Sequence, residues 1–136
     1  MTVATLEMRS SAREQTRARY PDAEGFVERD GVRVFWERYG DGEQTILLMP
    51  TWQIVHSRMW KAQIPYLARH FRVLTFDLRG NGRSDRPGDS AAYAKREFAE
   101  DAVAVLDAAG VERATVVCWC HRGQASCWRR ITPSGS

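Results

Sequence analysis

The sequence predicts an α/β protein, an N-terminal antiparallel hairpin followed by parallel strands with flanking helices. Three observations carry this reading. Residues 26–39 alternate polar and apolar side chains around Asp30-Gly31, the pattern of two strands joined by a tight turn. Three short apolar runs, Thr45–Met49, Arg72–Phe76 and Ala114–Val117, read as strands buried on both faces. Two segments with helical spacing lie between those runs. The resulting order, two strands and then strand–helix–strand–helix–strand, closes into one open sheet with right-handed crossovers.

Residues 1–24 form a polar leader with at most a turn or two of helix. From Gly25, Phe26–Arg29 and Val32–Tyr39 make the hairpin, and Gly40-Asp41-Gly42 closes it. Pro50 stops the strand Thr45–Met49. A helix is expected over Arg58–Arg69, with Trp60, Ile64 and Leu67 on one side, before the strand Arg72–Phe76. Residues 91–109 predict the longest helix. Phe98, Ala102, Val105, Leu106 and Ala109 form its apolar stripe, and Gly110 is placed to cap its C-terminus.

With 136 residues the chain has enough material for one modest core, but it is short for a doubly wound enzyme. The net charge is +3. Arginines gather at residues 9–19 and 122–130 without alternating with aromatics, so they read as solvated faces and not as a nucleic-acid surface. The leader lacks the apolar core of a secretion signal, and Glu7, Glu14, Asp22 and Glu24 argue against an organelle transit peptide. No apolar run reaches the length of a membrane span. All three cysteines, Cys118, Cys120 and Cys127, cluster late in the chain, an odd set that suits a reducing cytoplasm better than a disulfide framework.

The most specific motif is Asp77-Leu78-Arg79-Gly80-Asn81-Gly82-Arg83-Ser84, directly after Val73-Leu74-Thr75-Phe76. An apolar run ending in an acid and then two glycines one residue apart is a strand entering a tight turn. This segment resembles the turn after the fourth strand of α/β-hydrolase-fold enzymes. The resemblance covers residues 25–120, and the element order matches the N-terminal half of that fold.

In the family, the strand after the long helix runs into a nucleophile elbow. Here the strand runs into Cys118-Trp119-Cys120-His121-Arg122-Gly123, so the resemblance assigns the nucleophile position to Cys120 and the preceding small position to Cys118. It further implies an oxyanion hole from the backbone N–H groups of His121 and Trp52, the latter in the loop Pro50-Thr51-Trp52. Thiolate is a competent nucleophile for such chemistry. The implied activity is hydrolysis or acyl transfer of a small ester, lactone or thioester, with no metal or organic cofactor.

The sequence departs from the family pattern. Arg122 stands where a small residue is usual, with Gly123 one position late, and Pro50-Thr51 replaces the usual His-Gly. The acid and histidine that follow the nucleophile in the family are not encoded within the 136 residues. His56 and His70 flank the first helix and read as surface or packing residues, while His121 adjoins Cys120 and points away from it on a sharp turn. The chain is therefore expected to be catalytically inert by itself.

Other readings of the same residues carry weight. Cys120 also suits a small buried position at a strand end, and Trp52 and Trp60 suit packing. Asp77 and Arg79 read as architectural. Cys118, Cys120, His121 and Cys127 make a soft-ligand set, but their spacing does not match a structural zinc site, and adjacent Cys120 and His121 rarely share one tetrahedron. A non-catalytic remnant or binding module is the alternative to an enzyme.

Residues 25–123 thus form the hydrolase-like part, and residues 124–136 an aberrant tail without a helical stripe. Back-translated with GC-rich codons and read from the third base, the tail yields Gly-Val-Leu-Leu-Ala-Ala-Asp-His-Pro-Glu-Arg-Val. That string resembles the family's helix after the elbow and its lead into the next strand. A nucleotide lost near the codons for Arg122–Gln124 accounts for it. A half sheet of this kind also leaves the Ala114–Val117 strand as an open edge, through which chains are expected to self-associate.

Overall fold

The computed structural model describes residues 18–50 and 56–118. Five strands form one sheet: β1 (Ala23–Arg29), β2 (Val32–Tyr39), β3 (Thr45–Met49), β4 (Arg72–Phe76) and β5 (Thr115–Cys118). Their order across the sheet is β1-β2-β4-β3-β5. The pairs β1–β2 and β2–β4 are antiparallel, and β3 runs parallel to both β4 and β5. This is the expected class, a hairpin joined to parallel strands.

Hairpin register puts Arg29 opposite Val32, leaving Asp30-Gly31 as a two-residue turn. Both carry positive φ, +52° and +78°, the geometry whose twist matches a right-twisted ribbon and for which Asp-Gly is favoured. The first strand begins at Ala23, earlier than its alternation indicated, because Asp22 already joins the ladder. Its N–H donates to the Arg38 carbonyl at 2.8 Å, and its carboxylate accepts from the Gly40 N–H at 2.6 Å.

The helix expected over Arg58–Arg69 is not continuous. A 3₁₀ turn spans Ser57–Trp60, and a single α-turn, α1, spans Ile64–Leu67. Pro65 explains the break, since it has no N–H to donate to the preceding turn and sits near the helix start instead. The predicted face survives the interruption. Trp60, Ile64 and Ala68 are buried with Tyr39, Leu48 and Val73, and Leu67 and Phe71 pack against them.

The second helix, α2 (Lys95–Ala108), starts later than expected because residues 90–93 form a separate 3₁₀ turn. Asp89 caps that turn through the Ala91 N–H, and Ala94 is extended at ψ 147°, which divides the two segments. At the other end the cap is Ala109, with Gly110 just beyond. The Val111 N–H reaches back to the Leu106 carbonyl at 2.9 Å. Phe98, Ala102, Val105 and Leu106 are buried against Val34, Leu47, Met49, Leu74 and Phe76. Burial of each large member contributes roughly 1.5–3 kcal/mol. The two clusters line opposite faces of the sheet, so the β3–α1–β4 and β4–α2–β5 crossovers pass on opposite sides. Among the described residues, no helix is long and apolar enough to cross a membrane.

Candidate active site

Register sets the geometry of the site. Met49 at the end of β3 lies beside Cys118 at the end of β5, and Leu48 lies beside both Thr75 and Val117. The C-terminal ends of β3, β4 and β5 therefore lie at one end of the sheet. Their crossovers diverge to opposite faces there, the arrangement that opens a crevice outside the carboxyl ends of parallel strands.

Cys118 is half-buried and packs against the α2-face cluster. Cys120, His121 and Trp52 lie outside the described residues, as do Arg122, Gly123, Cys127 and the tail. Among the described residues, no group of three or more His, Cys, Asp or Glu side chains is arranged to hold a metal ion.

The Asp77–Ser84 turn is organised by its own side chains. Asp77 is buried, and its Oδ1 accepts from the Ser57 N–H at 2.8 Å while Oδ2 accepts from the Arg83 N–H at 3.0 Å. Ser84 Oγ donates to the Asp77 carbonyl at 2.6 Å and accepts from the Phe35 N–H at 2.8 Å, stitching the turn to β2. Gly82, at φ +50°, presses against the Asp77 carboxylate so closely that a Cβ would overlap it. Arg83 lies over the Phe35 ring, 4.1 Å from its centroid. The side chains of Asp77, Arg83 and Ser84 are all engaged in architecture.

Arg79 points the other way, into a charge cluster with Asp101, Glu97 and Arg29. It donates to Asp101 from Nε at 2.7 Å and from Nη2 at 2.8 Å, and from Nη1 to the Ala92 carbonyl at 3.0 Å. Arg29 on β1 reaches the same Asp101 at 3.0 Å and also Glu97 and Glu100. Burial opposes the Arg29 charge, yet its hydrogen bond to Glu97 and the negative charge of Asp101 leave its pKa raised. The hydrogen bond from Arg29 is the main reason that Glu97 sits below the usual carboxylate range. Sequence reasoning missed this cluster. The available signal was Asp101 within the apolar stripe of α2, together with Glu97 one turn earlier.

A third buried carboxylate, Glu37, accepts from the Tyr39 hydroxyl at 2.5 Å on the α1 face. The described histidines are exposed. His56 Nδ1 accepts from the Arg58 N–H at 3.2 Å, capping the 3₁₀ turn. The His70 ring meets Tyr66 and Phe71 edge-on, just before β4 and thus at the opposite end of the parallel strands from Cys118.

Comparison with known proteins agrees with this geometry. The sequence profile of the α/β hydrolase fold matches residues 45–127. Epoxide hydrolase B of Mycobacterium tuberculosis is 46% identical over 59 residues, 43% of this chain and 17% of its own length. A protein of Mycobacterium bovis named "Probable oxidoreductase EphD" is 39% identical over 79 residues, 57% of this chain and 13% of its own length. A solved enzyme described as degrading N-acyl homoserine lactones superposes with a TM-score of 0.62 at 37% identity, over 68% of this chain and 34% of that one. The chain thus spans about a third of that solved relative and less than a fifth of the two curated ones.

Proposed function

The chain belongs to the α/β hydrolase fold family, and from that premise we propose that its hydrolase ancestry is toward small ester-type bonds, with Cys120 as nucleophile. The observation that carries this is the pairing of Cys118 with Met49. It brings the strand leading to Cys120 alongside the strand leading to Trp52. A carbonyl substrate attacked there by the Cys120 thiolate would develop its oxyanion toward the N–H groups of Trp52 and His121. Similarity to a lactone-degrading enzyme supports the ester class.

Among the described residues, neither histidine is placed to serve as a base for the nucleophile. His70 stands a strand length away, about 15 Å along β4, and the His56 Nδ1 is engaged with backbone. The chain by itself is therefore inert toward turnover, a remnant or binding module in isolation. A reading-frame change near the codons for Arg122–Gln124 explains how a hydrolase sequence came to carry this tail. The protein is cytoplasmic, uses no cofactor, and self-associates through β5, which among the described residues is paired on one edge only.

The test is to read the locus independently across the Cys120 codon and express the continued frame. That product should hydrolyse p-nitrophenyl esters or aliphatic lactones and lose the activity on Cys120→Ala. An intact frame ending after Ser136 overturns the frame change. Hydrolysis of epoxides alone would favour the chemistry named for the mycobacterial relative.

A further inference from the structure

We propose that the cleft between the segment preceding β1 and the Ser57–Trp60 turn is a seat for a phosphate group, carried by inorganic phosphate or by a small phosphate monoester. A small cavity opens there on the α1 face, and Arg19, Tyr39, Ser57, Arg58, Lys61 and Ile64 line it. The lining includes three cationic side chains and no acid. None of the residues assigned to ester hydrolysis takes part, so the seat and that activity fail separately.

Local geometry brings the donors together. Arg58 and Lys61 lie three positions apart across the 3₁₀ turn and its cap, a spacing that stacks side chains on one side. Both are exposed, and among the described residues neither forms an ion pair. Arg19 already meets Asp22 at 3.3 Å and contributes less free charge. Ser57 is 5% exposed and is held through its N–H by Asp77 at 2.8 Å, yet its hydroxyl has no hydrogen-bond partner among the described residues. The unpartnered polar atoms sealed from solvent are Trp36 Nε1, Trp60 Nε1 and Arg72 Nε. The Ser57 hydroxyl is not one of them, so it opens to accessible space, and the space its residue lines is this cavity. An unpartnered hydroxyl on a buried residue is uncommon and points to a ligand that pairs with it. Tyr39 and Ile64 are buried and close the inner wall. The Tyr39 hydroxyl is committed to Glu37 at 2.5 Å, so that wall offers apolar surface and no further donor.

The donor set selects the ligand. A phosphate monoester carries about −1.5 to −2 charges at neutral pH and three strong acceptor oxygens. Two unpaired cations and one hydroxyl match that demand, whereas a carboxylate, with a single charge, leaves one cation unmatched. The cavity is about 20 Å³, room for one water-sized group. One phosphate oxygen therefore enters toward Ser57, and the others stand at the mouth in the field of Arg58 and Lys61. A bulky substituent has no room inside, so the ester side of an organic ligand points to solvent.

Equilibrium dialysis of the full 136-residue chain against radiolabelled inorganic phosphate, at constant ionic strength, tests the seat. Binding should saturate at one phosphate per chain. Arg58→Gln and Lys61→Gln alter exposed side chains and should each weaken binding about tenfold or more, and Ser57→Ala about fivefold. Lys95→Gln removes the same charge from an exposed position at the start of α2, on the other face of the sheet, and should change binding less than about twofold. Unlabelled phenyl phosphate and acetate are the competitors. Either phosphate compound displacing the label upholds the seat, and the tighter of the two names the source. Acetate competing as well as phosphate overturns the phosphate class. Absence of saturable binding at millimolar phosphate, or equal losses in Lys61→Gln and Lys95→Gln, overturns the seat.

Discussion

Arg79 grips Asp101 at two points, Nε to Oδ2 at 2.7 Å and Nη2 to Oδ1 at 2.8 Å, with the carboxylate wholly out of solvent. This pair ties the turn after β4 to the buried face of α2, and Arg29 extends the tie to β1. A buried pair is not in itself proof of high stability, but removing one partner strands the other charge. Asp101→Ala should therefore cost about 3–5 kcal/mol, read as a lower urea midpoint or as loss of the folded chain. Arg79→Lys should also destabilise, since an ammonium cannot reproduce the two-point fork. A midpoint unchanged in Asp101→Ala would remove the cluster from the account.

The same cluster sets an acid limit on stability. Hydrogen bonding from Arg29 depresses the Glu97 pKa, so its contribution is complete above the unfolded value of about 4.3 and fades as pH falls through the folded value. The raised pKa of Arg29 has the opposite sign, and its contribution is complete at all pH values below that of a free guanidinium. The urea midpoint should thus fall below about pH 4.3, and Glu97→Gln should flatten that fall. An identical acid slope in the variant contradicts the assignment.

Gly82→Ala should destabilise the turn by about 1–3 kcal/mol, through positive φ and overlap with the Asp77 carboxylate. Gly88→Ala provides the control, because nothing lies within 4 Å of the added methyl group and its φ is not positive. Thermal unfolding of the two variants side by side checks this. Equal effects would mean that the close approach at Gly82 is unimportant.

Self-association should depend on β5. Thr115 is exposed and Val117 is 38% exposed on the face away from α2. An apolar edge strand of this kind recruits other strands, and a lysine blunts it. Val117→Lys should shift sedimentation toward monomer at concentrations where the parent chain associates. A parent chain that remains monomeric at all concentrations contradicts the proposal.

The fold was largely legible in the sequence because its signals are local. Asp30-Gly31 declared the hairpin, and the apolar runs declared β3, β4 and β5. The first helix misled because Trp60, Ile64 and Leu67 keep helical spacing across a break that Pro65 imposes. The partition of residues 90–109 depends on the Asp89 cap and the extended Ala94, which periodicity does not encode. For the site, the Asp77–Ser84 motif read correctly as architecture, but its partners did not. Asp77 meets Ser57, and Arg79 meets Asp101, across separations that no local pattern carries. The buried charge of Asp101 could be seen only as an exception to an apolar stripe.

The most direct test of the central claim is a p-nitrophenyl acetate time course on the purified 136-residue chain beside its Cys120→Ala variant. The account predicts a Cys120-dependent burst of at most one p-nitrophenolate per chain, with an S-acetyl group retained on Cys120 and no turnover beyond hydrolysis in buffer. Sustained turnover that disappears in Cys120→Ala would contradict inertness, and a burst that persists in that variant would contradict Cys120 as the nucleophile.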